Sequence, residues 1–136
     1  MASLTTIEGI GPKNANLLRK AGIRGTVSLL NAACTRAGRK DLAAASGVSE
    51  KLILSWCNKA DLMRVRGVGE EYSDLLEYAG VDTVKELRTR KPGNLHAKML
   101  AVNSARKVGL VRRPPSLSEV EGWVKHAKTL EPMMTY

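Results

Sequence analysis

Phenylalanine is missing from this chain altogether, and aromatic residues make up only 4% of it. A core must therefore be filled by Leu, Ile, Val, Ala and the two Trp, a composition that reads as helical. The same scarcity leaves no cluster of aromatics to form a base pocket. Cysteine and histidine are equally sparse. Cys34 and Cys57 are far apart, as are His96 and His126, so no recognised spacing supplies a four-ligand metal or iron–sulfur site. The two thiols read as small core residues in a reducing compartment, and the two His as surface residues. No run of 18 apolar residues occurs, which excludes a transmembrane helix. The chain does not open on a basic segment followed by an apolar one, so no signal peptide is expected and the location reads as cytoplasmic. No Ser/His/Asp or Cys/His arrangement is suggested, so no enzyme activity, cofactor or metal is expected.

What the chain does have is positive charge. There are 22 Lys and Arg against 13 Asp and Glu, a formal charge of +9 over 136 residues. That favours polyanionic partners, although a solvated basic surface has the same signature. The length suits one domain, or two small halves sharing a core.

The clearest pattern is a repeat. Ile7-Glu8-Gly9-Ile10-Gly11-Pro12-Lys13-Asn14-Ala15-Asn16-Leu17-Leu18 continues to Ala21-Gly22-Ile23. Val65-Arg66-Gly67-Val68-Gly69-Glu70-Glu71-Tyr72-Ser73-Asp74-Leu75-Leu76 continues to Ala79-Gly80-Val81, at a constant offset of 58 residues. A Gly-apolar-Gly triplet between helical patterns reads as a tight turn, with Ile10 or Val68 plugging the core. Leu17 and Leu18 follow on one helical face. Pro12 suits the first helical position, and Gly22 and Gly80 suit the position that ends the helix. The amides after Gly11 would stand at a helix N-terminus, which favours an anion, with Lys13 close by.

These residues resemble the helix-hairpin-helix family, whose members commonly hold the sugar-phosphate backbone without reading bases. Ile7 to Leu18 matches that family's Gly-Ile-Gly-Pro-Lys-x-Ala-x-x-Leu pattern. The resemblance implies phosphate contacts at Gly9, Ile10, Gly11 and Lys13. Over roughly Thr6 to Leu130 the chain is similar to a bacterial family of tandem helix-hairpin-helix proteins of unassigned function, which implies a fold more than a function. The second copy departs from the pattern: Pro12 becomes Glu70, Lys13 becomes Glu71, Asn16 becomes Asp74 and Arg19 becomes Glu77. Acids in a first turn suit the helix dipole but repel phosphate, so this copy reads as structural or protein-binding.

The rest of the chain repeats more loosely. Thr5 with Glu8, Thr83 with Glu86, and Ser116 with Glu119 have capping-box spacing. A helix is expected from about Thr26 to Arg36, with Arg36, Arg39 and Lys40 in or beside a turn at Gly38. Leu42 to Ile53 reads as helix, Gly47 turn and helix, with Ser49 as N-cap. That stretch also resembles a helix-turn-helix reader, but Glu50 and Leu54 are poor groove-facing residues and two packed helices explain it as well. Trp56-x-x-x-Ala60 matches Trp123-x-x-x-Ala127. Both Trp read as core anchors, the second on a helix from about Leu117 to Leu130.

Charge is segregated as well. Arg88, Arg90, Lys91, Lys98, Arg106, Lys107, Arg112 and Arg113 follow one another without an acid, while Glu70 to Glu77 holds four acids and no base. The two stretches can neutralise each other in part, and the excess can track phosphates.

The expectation is an all-α bundle of short helices built from two pseudo-repeated units, 1–62 and 63–130, with a loose tail at 131–136. The function expected is non-sequence-specific binding of DNA, duplex rather than single strand. Its contacts would be Gly9, Ile10, Gly11, Lys13, Arg36, Arg39, Lys40, Arg88, Arg90, Lys91, Arg112 and Arg113. A protein-interaction adaptor using the Glu70–Glu77 helix is the alternative. Some repair glycosylases carry a similar hairpin with a catalytic lysine where Lys13 stands. Their downstream aspartate has no counterpart, because Asp41 is too far and Asp82 follows the wrong hairpin too closely.

Overall fold

The computed structural model describes residues 3–7, 9–105 and 111–136. Those residues form eight α-helices and one 3-10 turn, with an isolated bridge between Ser3 and Gly25 and no strand. The chain divides into two units: Met1–Asp61 with Met133–Tyr136, and Leu62–Pro132. The first holds the 3-10 turn Leu4–Thr6, α1 (Pro12–Lys20), α2 (Thr26–Ala33) and α3 (Arg36–Ser46), and α4 (Glu50–Leu62) runs to its boundary. The second holds α5 (Glu70–Tyr78), α6 (Val84–Leu87), α7 (Pro92–Ala105) and α8 (Leu117–Ala127). No helix among the described residues is long and apolar enough to cross a membrane.

The sequence repeat is a repeat of hydrogen bonds. Ile10 N–H donates to Ile7 O at 3.1 Å, and Val68 N–H donates to Val65 O at 3.0 Å. The turn closes in this way, buries Ile10 and Val68, and delivers Gly11 or Gly69 as the N-cap of the next helix. At the far end, Gly22 N–H bonds Arg19 O at 3.0 Å and Ile23 N–H bonds Leu18 O at 2.9 Å. Gly80 to Glu77 (3.0 Å) and Val81 to Leu76 (2.9 Å) reproduce that Schellman closure. It needs a left-handed residue, and both glycines have φ +92°.

Each unit has its own apolar interior. In the first, Leu4, Ile7, Ile10, Leu18, Leu29, Ile53 and Trp56 are buried, with α3 packed on α1 and α2. In the second, α8 packs on α6 and α7, and α5 packs on α7. These helices bury Val65, Leu75, Leu76, Val84, Leu87, Met99 and Trp123. The Trp residues are the core anchors expected.

The caps fall as the residue types dictate, with one exception. Thr83, Ser116 and Ser49 accept from the amides of Glu86, Glu119 and Leu52. Thr5, however, lies inside the 3-10 turn, whose N-cap is Ser3, and Glu8 falls outside the described residues. The helix expected over Thr26–Arg36 stops at Ala33, because Thr35 starts a new one: its Oγ1 accepts from Gly38 N–H at 3.0 Å. Gly38 is therefore helical, not a turn. A Cβ there would stand 2.1 Å from Ala32 O, so the glycine lets α3 begin against the end of α2. The helix expected over Leu117–Leu130 stops at Ala127.

The tail is packed, not loose. Met134 is buried, its sulfur 3.5 Å from the Cys57 sulfur. Thr135 N–H donates to Cys34 O at 2.8 Å, and the Tyr136 hydroxyl meets Asn58 Oδ1 at 3.1 Å.

Candidate nucleic-acid interface

The first turn offers an anion a short backbone surface. Gly9 is exposed at φ +93°, and Gly11 is exposed and extended (φ −80°, ψ 178°). Gly11 caps α1 without a side-chain hydrogen bond, and nothing lies within 4 Å of where its Cβ would stand. Pro12 has no N–H, so the next amides, of Lys13 and Asn14, are the helix's first donors without an i−4 partner. Ile10 differs from what the resemblance implies. Its side chain is 3% exposed and its N–H is already given to Ile7 O. It shapes the turn from inside while its neighbours face out.

Lys13 is exposed in the first turn of α1, and Arg36 and Lys40 are exposed in the first turns of α3. Arg39 departs from the sequence expectation. It is 4% exposed, its guanidinium donates to Ala33 O at 3.0 Å and Thr135 O at 2.7 Å, and it lies 5.8 Å from the centre of the Tyr136 ring. Burial and two carbonyl partners make it a clasp for the tail, not a surface cation.

In the second unit the basic stretch is partly tied down. Arg88 reaches Lys128 O at 3.3 Å. Arg90 spans Gly80 O at 2.8 Å and Glu86 Oε1 at 2.6 Å. Both Arg90 and Lys98 stand close to Gly80, at the C-terminal end of α5, where cations suit the helix dipole. Arg113 holds Glu119 through two bonds of 2.8 and 2.9 Å and lies 6.0 Å from the Tyr72 ring centre. That pairing, helped by the Ser116 amide, draws the Glu119 carboxyl down to about 2. Lys91 and Arg112 are exposed. Arg106 and Lys107 fall outside the described residues.

Sequence reasoning missed the relation between the turns and the tryptophans. Trp56 Nε1 lies 3.3 Å from the Cβ position of Gly9, and Trp123 Nε1 lies 3.1 Å from that of Gly67. The recurrence of both residues was the available signal. The second turn adds Tyr72, packed against Trp123 with centroids 5.1 Å apart and ring planes tilted by 51°, its hydroxyl on Arg113 O at 2.9 Å. Glu70 and Glu71 are exposed on α5, whereas Asp74 is buried.

Neither the curated proteins nor the solved structures include a match to this chain. A family model described as Domain of unknown function (DUF4332) matches residues 4–130. With nearly its whole length matched, both glycine turns included, the chain belongs to that family.

Proposed function

We propose that the chain binds duplex DNA through its phosphates without reading sequence, the first glycine turn acting as a helix-hairpin-helix clamp. The supporting observation is a choice of charge at helix starts. An N-terminus favours acids, and α4, α5, α6 and α8 each carry Glu in the first turn. α1, α2, α3 and α7 carry none, and of these α1 and α3 present the exposed cations Lys13 and Arg36. Cations there oppose the dipole within the fold, and a phosphate would offset that cost from outside. Lys40 would extend the footprint on the first unit, and Lys91 and Arg112 would offer the second unit phosphate contacts of its own, without specifying sequence.

A second reading, docking of a protein through α5, draws support from the exposed Glu70 and Glu71. Anisotropy of a labelled duplex across salt concentrations separates the two. Neutralising about four phosphates gives a log–log slope of about −3.6 on B-DNA. A protein adaptor gives no duplex binding at physiological salt.

A further inference from the structure

Beneath the second turn lies an open cavity of about 500 Å³, lined by Arg66, Gly67, Gly122, Trp123, Lys125 and His126 among others. That volume is in the range of small-molecule sites, and the lining is mainly apolar. Gly122 sits in α8 with nothing within 4 Å of its Cβ position, so its missing side chain is open space. The counterpart beside Trp56 is Ser55.

Two features give the cavity a preference for charge. The first is an unpartnered donor on a mostly buried ring. Trp123 is 3% exposed, with its Nε1 edge under Gly67. No described residue accepts a hydrogen bond from that N–H. No fully buried side-chain N or O among the described residues lacks a partner, so this N–H is not sealed in and opens beside Gly67. An indole nitrogen can only donate, so its complement is an acceptor.

The second is the rim. Arg66 and Lys125 are exposed cations there. His126 Nδ1 accepts from Arg66 N–H at 2.9 Å, so the neutral ring carries its proton on Nε2, a further donor. Glu119 also lines the cavity, but Arg113 and the Ser116 amide already hold its oxygens.

We infer that this cavity binds a small apolar carboxylate, with the carboxylate taken by the Trp123 N–H and the Arg66 and Lys125 charges and the apolar body lying over Gly122. Inorganic phosphate fits less well, because an apolar lining gives it few of the donors it needs. The inference stands on the second unit alone and is independent of DNA binding by the first.

The test uses the whole chain and the two indole N–H resonances, assigned with W56F. On titration with 2-naphthoate the Trp123 indole should shift saturably while that of Trp56 stays in place as an internal reference. The uncharged analogue 2-naphthylmethanol should bind at least about tenfold more weakly. Gly122→Leu should abolish the shift. The Cβ position there is open and leucine is a better helix residue than glycine, so helicity and the Trp56 resonance should be kept. Indoles that shift together, a neutral analogue that binds equally well, or phosphate that moves the Trp123 resonance at comparable concentration would each overturn the inference.

Discussion

Gly67 stands directly against Trp123: the indole Nε1 is 3.1 Å from where a Cβ would be, and the backbone there is left-handed at φ +89°. Gly9 and Trp56 repeat the relation at 3.3 Å and φ +93°. Two constraints, one of backbone and one of packing, thus fall on the same residue. Alanine at either position should cost about 1–3 kcal/mol in urea unfolding. Gly11 and Gly69 are extended and open, so alanine there should change stability by well under half as much. Equal costs at all four would mean that the turns are not held by their tryptophans.

Gly38 gives a sharper contrast. Gly38→Ala drives a methyl into Ala32 O and should cost at least about 2 kcal/mol, since neither backbone can yield easily. Gly93 and Gly122 are helical with nothing within 4 Å of their Cβ positions. Alanine at either should stabilise by about 0.5–1 kcal/mol. Thermal unfolding of the three variants side by side decides this.

Arg39 and Arg36 are three residues apart in one helix but should respond oppositely. Arg39→Ala removes the donors to Ala33 and Thr135 and should lower stability. Arg36→Ala and Lys40→Ala should leave stability within about 0.5 kcal/mol and weaken duplex binding. A stable Arg39 variant with weakened binding would return that residue to the interface.

The thiols should differ in reactivity. Burial pushes the Cys57 thiol up to about 12, with Cys34 and Asp61 adding to the effect. Its thiolate is then negligible near neutral pH. Iodoacetamide at pH 8 should label partly exposed Cys34 and spare Cys57 until urea unfolds the chain. Mass spectrometry of the two tryptic fragments reads this directly.

Acid should loosen the start of α8. Glu119 is held at about 2 in the folded chain against an ordinary 4.5, mainly by Arg113. A depressed folded value contributes stability above the unfolded one, and that contribution is lost as pH falls from about 4.5 toward 2. Glu119→Gln should remove this part of the pH dependence, costing stability near neutral pH and progressively less as pH falls toward 2. An unchanged acid limb would locate the titration elsewhere.

How much of this was legible in the sequence follows from where the controlling contacts lie. The turns, α1, α5, their Schellman ends and the caps at Ser49, Thr83 and Ser116 depend on neighbours a few residues away, and residue type reveals them. Arg39 and the tail depend on contacts remote along the chain, and Gly38 on a carbonyl just across the break between α2 and α3. A helical glycine facing a carbonyl of another helix looks like a turn when only its neighbours are visible. A buried arginine serving Thr135 looks like a surface cation for the same reason. The cavity under Gly67 depends on Gly122 lying beside a tryptophan that is itself remote from the turn.

The most direct test of the central claim is the salt dependence of duplex binding for the wild-type chain and for Gly11→Val with Lys13→Glu, with helicity checked by circular dichroism. A phosphate clamp at the first turn predicts a wild-type log–log slope of about −3.6, and weaker binding with a shallower slope in the variant. Binding and slope left unchanged by the double substitution would contradict a phosphate clamp at the first turn.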